Sequence, residues 1–295
     1  MRRIYITTLN LDVGLSDAYI VVVGNLTVGG AGKTPFVSWL AQRCLDNDLK
    51  VGIISRGYGR KDEAKFIEVA IDSDVNDVGD EALMLKQQTL CPVAISADRA
   101  QAARFLQSAY DLDVIISDDG LQHYAMPRKF EIVIVDGERE FGNGWCLPAG
   151  PLREPVSRLK KSDLVVSNGD NPAYELQYRA YFKDAISLVD NQLKKKIEEF
   201  RGSKIHAIAG IGNPKRFFTM LEKAGLEVMP HGFADHHVFN QAELEFNDDL
   251  PIFMTEKDAV KCKDFEVINA WYVPISVLVN DKLDKSIETL LEDLN

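Results

Sequence analysis

A chain of 295 residues, 46% hydrophobic and 27% charged, has the composition of one large or two medium globular domains and can bury a real core. Its formal net charge of -11 argues against a broad nucleic-acid surface, because neutralising phosphates takes clustered Lys and Arg. Cys44, Cys91, Cys146 and Cys262 are far apart and form no Cys-x-x-Cys pair, so neither a zinc site nor a disulfide framework is expected, and the compartment reads as reducing and cytoplasmic.

At the start, Met1-Arg2-Arg3 looks like the charged end of an export signal, yet Thr7, Thr8, Asn10 and Asp12 interrupt any apolar core after it. No run approaches the ~18 apolar residues of a membrane span, so any membrane contact is expected to be peripheral. The first strong element is the apolar run Tyr19–Val23, followed by Gly24-Asn25-Leu26-Thr27-Val28-Gly29-Gly30-Ala31-Gly32-Lys33-Thr34-Pro35 and an amphipathic stretch. Strand, glycine loop and helix in that order is the setting of a phosphate-binding loop. Glycines let backbone N–H groups turn inward at an anion, the helix start adds its positive end, Lys33 would reach the β and γ phosphates, and Thr34 would ligate magnesium. A nucleoside triphosphate with Mg2+ is the expected ligand. The usual pattern has Gly where Thr27 stands; a bare glycine turn is the alternative.

Further along, Val51–Ser55, Pro92–Ser96, Val114–Ser117, Glu131–Val135 and Leu164–Ser167 are apolar almost throughout, as strands buried on both faces are. Alternation with helical patterns predicts a parallel sheet whose ligands gather at the carboxyl ends of the strands. Glu175–Phe182 and Ala185–Val189 then read as two short extended segments around Lys183-Asp184. A second α/β series follows: strands at Ile205–Ala209, Glu227–Pro230, Pro251–Met254 and Trp271–Pro274, a helix through Phe217–Ala224, and a closing helix over 283–294. No repeat or low-complexity tract is present.

Several segments carry chemistry. Asp118-Asp119 sits at a strand tip, where a phosphate-binding protein needs an acid for magnesium and where a plain polar turn would also place one. Gly79-Asp80-Glu81 opens a helix, and acids there ordinarily serve capping and the dipole. Ser55–Arg60 is either a guanidinium clamp for phosphate or a solvated loop. The loop Phe141–Pro155, with Trp145 and Leu147, either tucks into the core or offers an apolar face to a greasy substrate or bilayer. Of His236 and His237, adjacent side chains that point apart, at most one serves a single site, and other metal ligands are lacking. Thr255 with Asp258 three residues on resembles a capping box, and Thr-Glu-Lys-Asp does not match a guanine-specificity motif.

Gly24–Pro35, Ser55–Gly59, Gly79–Glu81, Asp118–His123, Phe141–Glu154, Asp235-His236 and Thr255–Lys261, in that order, resemble the tetraacyldisaccharide 4'-kinase family of lipid A biosynthesis, in which Thr27 is itself a family feature. The resemblance implies two α/β/α sandwich domains, the first with a P-loop NTPase-like parallel sheet, joined by a two-stranded β linker. Expected domains are 1–171, a linker or hinge at 172–190, and a smaller α/β domain at 191–295.

It also implies transfer of the ATP γ-phosphate to the 4'-hydroxyl of tetraacyldisaccharide 1-phosphate, at the cytoplasmic face of the inner membrane of a Gram-negative bacterium. Thr27, Val28, Gly29, Gly30, Ala31, Gly32, Lys33 and Thr34 would bind ATP. Thr34, Glu81, Asp118 and Asp119 would surround Mg2+. Asp80 matches the family's candidate base and His236 its partner across a closing cleft, with Lys33 as the third catalytic residue. Family members usually carry a longer N-terminal, membrane-associating segment; here 23 residues precede Gly24 and show no such helix, so peripheral membrane contact rests on the resemblance alone. The competing expectations are a P-loop ATPase or switch acting on a protein partner, and a membrane-surface module with a regulatory nucleotide loop. The oligomeric state is left open.

Overall fold

The computed structural model describes residues 18–62 and 66–294; the Arg2-Arg3 start lies outside the described residues. The chain forms two units, one running to Arg179 and resuming at Val277, the other Ala180–Ser276.

In the first unit, strand β1 (Tyr19–Gly24) leads through the glycine loop to helix α1 (Lys33–Leu45). β2 (Val51–Ser55), β3 (Ile67–Val69), α2 (Val75–Val78), α3 (Asp80–Thr89), β4 (Val93–Ile95), α4 (Arg99–Ala109), β5 (Val114–Asp118), β6 (Phe130–Asp136) and β7 (Leu164–Asn168) follow. Strand β8 (Leu176–Phe182) comes last before the chain leaves the unit, and β15 (Ile275–Val279) with α7 (Asp281–Glu292) returns to it. The sheet order is β15-β8-β7-β6-β1-β5-β2-β4-β3. β1 lies between β5 and β6, parallel to both, and only β3 is antiparallel, to β4, among the strands from β1 to β7.

Every residue of β2, β4 and β5 is buried. At about 1.5–3 kcal/mol for each large apolar side chain taken from water, that burial outweighs any local preference and explains the unbroken apolar runs. The parallel arrangement sends the ends of β1, β2, β5 and β6 to one edge, and with them the loops that carry the motifs.

The second unit holds β9 (Asp184–Ser187), β10 (Lys194–Lys196), β11 (Lys204–Ala209), α5 (Pro214–Lys223), β12 (Glu227–Gly232), β13 (Ile252–Thr255), α6 (Glu256–Ala259) and β14 (Ala270–Val273). Its sheet order is β10-β9-β14-β13-β11-β12, parallel from β14 to β12 and antiparallel at β9 and β10. Successive residues of β11 serve opposite faces: Ile205, Ala207 and Ala209 pack with Phe253, Phe217 and Trp271, whereas Ile208 packs with Met254, Phe239 and Leu244. That alternation is the two-residue period of a strand, with a core on each side.

The contacts divide the chain differently from the sequence expectation. Residues 277–294, expected in the smaller domain, pack with the first unit, because β15 pairs beside β8 and Arg43 of α1 meets Asp284 of α7 at 3.0 Å. The chain passes between the units within β8 and again within β15, which are neighbouring strands, rather than only within 172–190.

Candidate active site

The glycine loop is shaped from behind. Val28 N–H donates to the Pro151 carbonyl at 2.8 Å and Arg153 N–H to the Leu26 carbonyl at 2.6 Å, so the segment after Pro151 pairs with one side of the loop. The carbonyls of Gly30, Ala31 and Gly32 accept from Arg139 Nη2 (2.6 Å), Asn168 Nδ2 (3.0 Å) and Tyr178 Oη (2.6 Å). In a trans peptide the following N–H points opposite to the carbonyl. Three carbonyls held outward therefore turn the N–H groups of Ala31, Gly32 and Lys33 inward, which is the nest an anion needs. Gly32 makes this possible: its φ is 89°, and a Cβ there would stand 2.1 Å from Asn168 Nδ2.

Lys33 Nζ lies 3.1 Å from Asn25 Oδ1 and 3.4 Å from Asp119 Oδ1. Arg153 Nη1 pairs with both oxygens of Asp119, at 3.0 and 2.9 Å. Burial pushes the Asp119 carboxyl up, but Lys33 and Arg153 outweigh it and hold it below the usual carboxylate range. Asp118 faces another way. Thr34 Oγ1 donates to its Oδ2 at 3.2 Å, and its Oδ1 is buried with no hydrogen-bond partner among the described residues. Burial first, then the charge of Glu81, pushes Asp118 up to about 7, against the pull of Lys33.

The Ser55–Arg60 loop and the start of α3 interlock through glycines. A Cβ on Gly79 would meet the Tyr58 carbonyl at 2.7 Å, and one on Gly57 the Val78 carbonyl at 3.0 Å. Asp80, at the first position of α3, is buried, and its Oδ1 accepts the Glu81 N–H at 2.8 Å. Beside them sits Arg99, 2% exposed, donating from Nη2 to the Asp118 carbonyl at 3.2 Å, with Nε and Nη1 unpartnered among the described residues. Burial, reinforced by Arg56 and Arg60 and opposed by Asp118 and Asp119, pulls its guanidinium down to about 10. His123 is driven to about 4 by burial, then by Arg99 and Arg56. A buried cation is costly unless negative charge stands near it, and Asp118 and Asp119 supply that charge here.

In the second unit, His236 follows β12 with φ of 59°. Its N–H donates to the Gly210 carbonyl at 3.2 Å and to Asp235 Oδ1 at 3.1 Å. His237 turns away, 3.1 Å from Glu243 and packed against Phe233 and Phe239.

A family model described as Tetraacyldisaccharide-1-P 4'-kinase matches residues 2–292. The chain belongs to that family. Relatives named tetraacyldisaccharide 4'-kinase include that of Nitrosococcus oceani, 47% identical over 92% of this chain and 80% of the relative. Another, from Methylobacillus flagellatus, is 48% identical over 91% of this chain and 80% of the relative. The crystal structure of LpxK from Aquifex aeolicus in complex with ATP, at 23% identity, matches with a TM-score of 0.73 over 99% of each chain and shares the fold.

Of the residues the family resemblance singled out, the structure brings Thr34 into contact with Asp118, sets Glu81 within electrostatic reach of it, and commits Asp119 to Lys33 and Arg153. No group of three His, Cys, Asp or Glu side chains converges as a metal cage among the described residues. An orphaned buried carboxylate oxygen next to a threonine hydroxyl nevertheless fits a cation that keeps several waters. Asp80 lies in the first unit and His236 in the second.

Arg99, Asn168 and Tyr178 were not found from the sequence. Each acts as a single residue far from the glycine loop in the chain, and Asp98-Arg99 reads only as a helix start. The Phe141–Pro155 loop is tucked into the core at one part and exposed at another. Leu152 is fully buried, with Phe141 and Cys146 packed against the same core, while Trp145 is 66% and Leu147 54% exposed.

Proposed function

We infer that this member of the kinase family transfers the γ-phosphate of ATP to the 4'-hydroxyl of tetraacyldisaccharide 1-phosphate, and that Mg2+ accompanies the nucleotide. The observation that carries the site assignment is Thr34 donating to Asp118 Oδ2 while Asp118 Oδ1 stays buried and unpartnered. Thr34 and Asp118, with Glu81 behind them, would hold the metal, which supplies neutralisation of phosphate charge.

The chain's own residues divide the remaining work. The inward N–H groups of Ala31, Gly32 and Lys33 seat the phosphates, and Lys33, steadied by Asn25 and Asp119, places its charge on the β and γ groups. Arg99, buried behind the site, sets its positive charge beside Asp118 and Asp119. A sugar hydroxyl is a weak nucleophile near neutral pH, so Asp80 takes its proton as the new O–P bond forms and the bond from Pγ to the β-bridging oxygen breaks, ADP leaving with the electron pair. His236 assists Asp80. The acyl chains place the substrate at a membrane, which the protein meets peripherally at the inner membrane's cytoplasmic face. Among the described residues no helix is long and apolar enough to cross one. The switch and surface-module readings have no observation in their favour beyond the shared nucleotide loop.

The test supplies ATP, Mg2+ and the lipid disaccharide monophosphate, and follows phosphate on the acceptor. Wild type phosphorylates it; Asp80→Ala, His236→Ala and Lys33→Ala, checked for folding, lose about 100-fold or more. ATP consumption that needs an added protein and leaves the lipid unmodified would overturn the assignment, as would near-normal rates in all three variants.

A further inference from the structure

We propose that Lys257 and Asp258 are positioning residues that hold His236 from two sides, an idea that rests on His236 taking part in catalysis. Thr255 alone accounts for the start of α6, since its hydroxyl accepts the Asp258 N–H at 3.1 Å. A cap therefore explains the threonine but not the carboxylate three residues on. Asp258 is fully buried, and a carboxylate in that position is costly unless it is paired and hydrogen-bonded.

Its bonds lead toward the histidine. Oδ2 accepts from the Thr255 hydroxyl at 2.6 Å and from the Gly210 N–H at 3.0 Å. Oδ1 lies 2.6 Å from Lys261 Nζ, a charge contact in which neither atom completes a well-angled hydrogen bond. Gly210 directly follows strand β11, and its carbonyl is the acceptor of the His236 N–H at 3.2 Å. The turn is wedged: a Cβ at Gly210 would stand 3.2 Å from Asp258 Oδ1, His237 Cβ and Phe239 Cζ. This clamp holds His236 at its positive φ of 59°, a conformation that a side-chain-bearing residue keeps only when its surroundings insist.

The second arm reaches the ring. Lys257 Nζ sits 3.3 Å from Asp235 Oδ1, and that oxygen both accepts the His236 N–H at 3.1 Å and lies 3.7 Å from His236 Nε2. Neighbouring residues of one short helix thus brace the backbone of His236 and, through Asp235, stand in charge contact with its ring, which gives the Thr255–Lys261 segment a role although it does not match a guanine-specificity motif.

The experiment is a double-mutant cycle on the full chain with both substrates varied. Lys257→Met, at the partly exposed arm, is expected to lower kcat by about 10- to 100-fold, the cost of a misplaced group, with both KM values held within about twofold. Lys257→Arg restores the rate, and Lys257→Met adds nothing in a His236→Ala background. Asp258→Asn keeps an acceptor for Gly210 and loses less than Asp258→Ala; if the alanine variant does not fold, the Lys257 arm alone decides. A Lys257→Met enzyme at the wild-type rate, or one whose loss multiplies with that of His236→Ala, overturns the proposal while His236 keeps its catalytic assignment. A wild-type rate in His236→Ala overturns that assignment first, and the proposal with it.

Discussion

Two glycines of the nucleotide loop, separated by one alanine, are held to different standards. A Cβ at Gly30 would meet nothing within 4 Å, whereas at Gly32 it would overlap Asn168 Nδ2 and Tyr178 Oη on a backbone with φ of 89°. Gly32→Ala therefore pays for left-handed strain of about 1–2 kcal/mol and breaks the donors that hold two carbonyls outward. We expect Gly32→Ala to lower the melting temperature and abolish detectable ATP binding by calorimetry, and Gly30→Ala to melt within about 0.5 kcal/mol of wild type. Equal melting of the two variants would refute the account. The cysteines differ in the same residue-level way. Burial pushes the Cys44 and Cys262 thiols up to about 12 and raises Cys91, while Cys146 is partly exposed in the Trp145 loop. A maleimide at neutral pH should mark Cys146 first, and peptide mapping that finds Cys44 labelled before it would contradict the packing.

At the scale of elements, legibility follows burial. β1, β2, β4, β5, β6 and β7 were readable because both faces of each are covered, so the apolar run survives intact in the sequence. Three strands were not. β3 has three residues, β10 is Lys194-Lys195-Lys196 on an exposed edge, and β15 hides behind Pro274, where the reading of β14 stopped. Pro274 lacks the N–H that would carry the ladder on, and the next strand belongs to the other sheet. The site was legible to the same degree: the glycine loop and Asp118-Asp119 are contiguous motifs, but Arg99, Asn168 and Tyr178 act one at a time through the fold. The return of α7 to the first unit is helped by such a single residue. Asn280 caps it, accepting the Leu283 N–H at 3.0 Å while donating to the Glu175 carbonyl at 2.8 Å and receiving the Gln177 N–H at 3.3 Å. Asn280→Ala should cost about 1–2 kcal/mol. Hydrogen exchange would show faster opening across Asp281–Glu292 and no change in α5; unchanged protection in α7 would mean the helix is held by its apolar face alone.

For the first unit as a whole, two groups near the site pull the pH dependence of stability in opposite directions, Asp118 buried and His123 partly so. Asp118 has its carboxyl raised to about 7 by burial and Glu81, so the folded state holds a proton that the unfolded chain releases near the ordinary value of 3.8. Its contribution is complete below that value and is lost as pH rises toward 7. His123, depressed from 6.5 to about 4, does the reverse: the unfolded chain takes up a proton first, so stability is lost as pH falls through that window. Each group acts with a slope of up to about 1.4 kcal/mol per pH unit, and between about pH 4 and 6.5 the two nearly cancel. The wild-type first unit should therefore show little pH dependence from this pair, in nucleotide-free protein with a chelator present. Asp118→Asn removes one side of the balance. That variant should be more stable than wild type at pH 8, lose its advantage steadily on acidification to about pH 5, and expose the His123 slope. The measurement is the urea concentration at which amides of β1 and β5 lose protection, which reports this unit without contribution from the other. Parallel curves for variant and wild type from pH 8 to 5 would mean that Asp118 stays ionised in the folded protein, and that its buried oxygen is satisfied by something other than a proton.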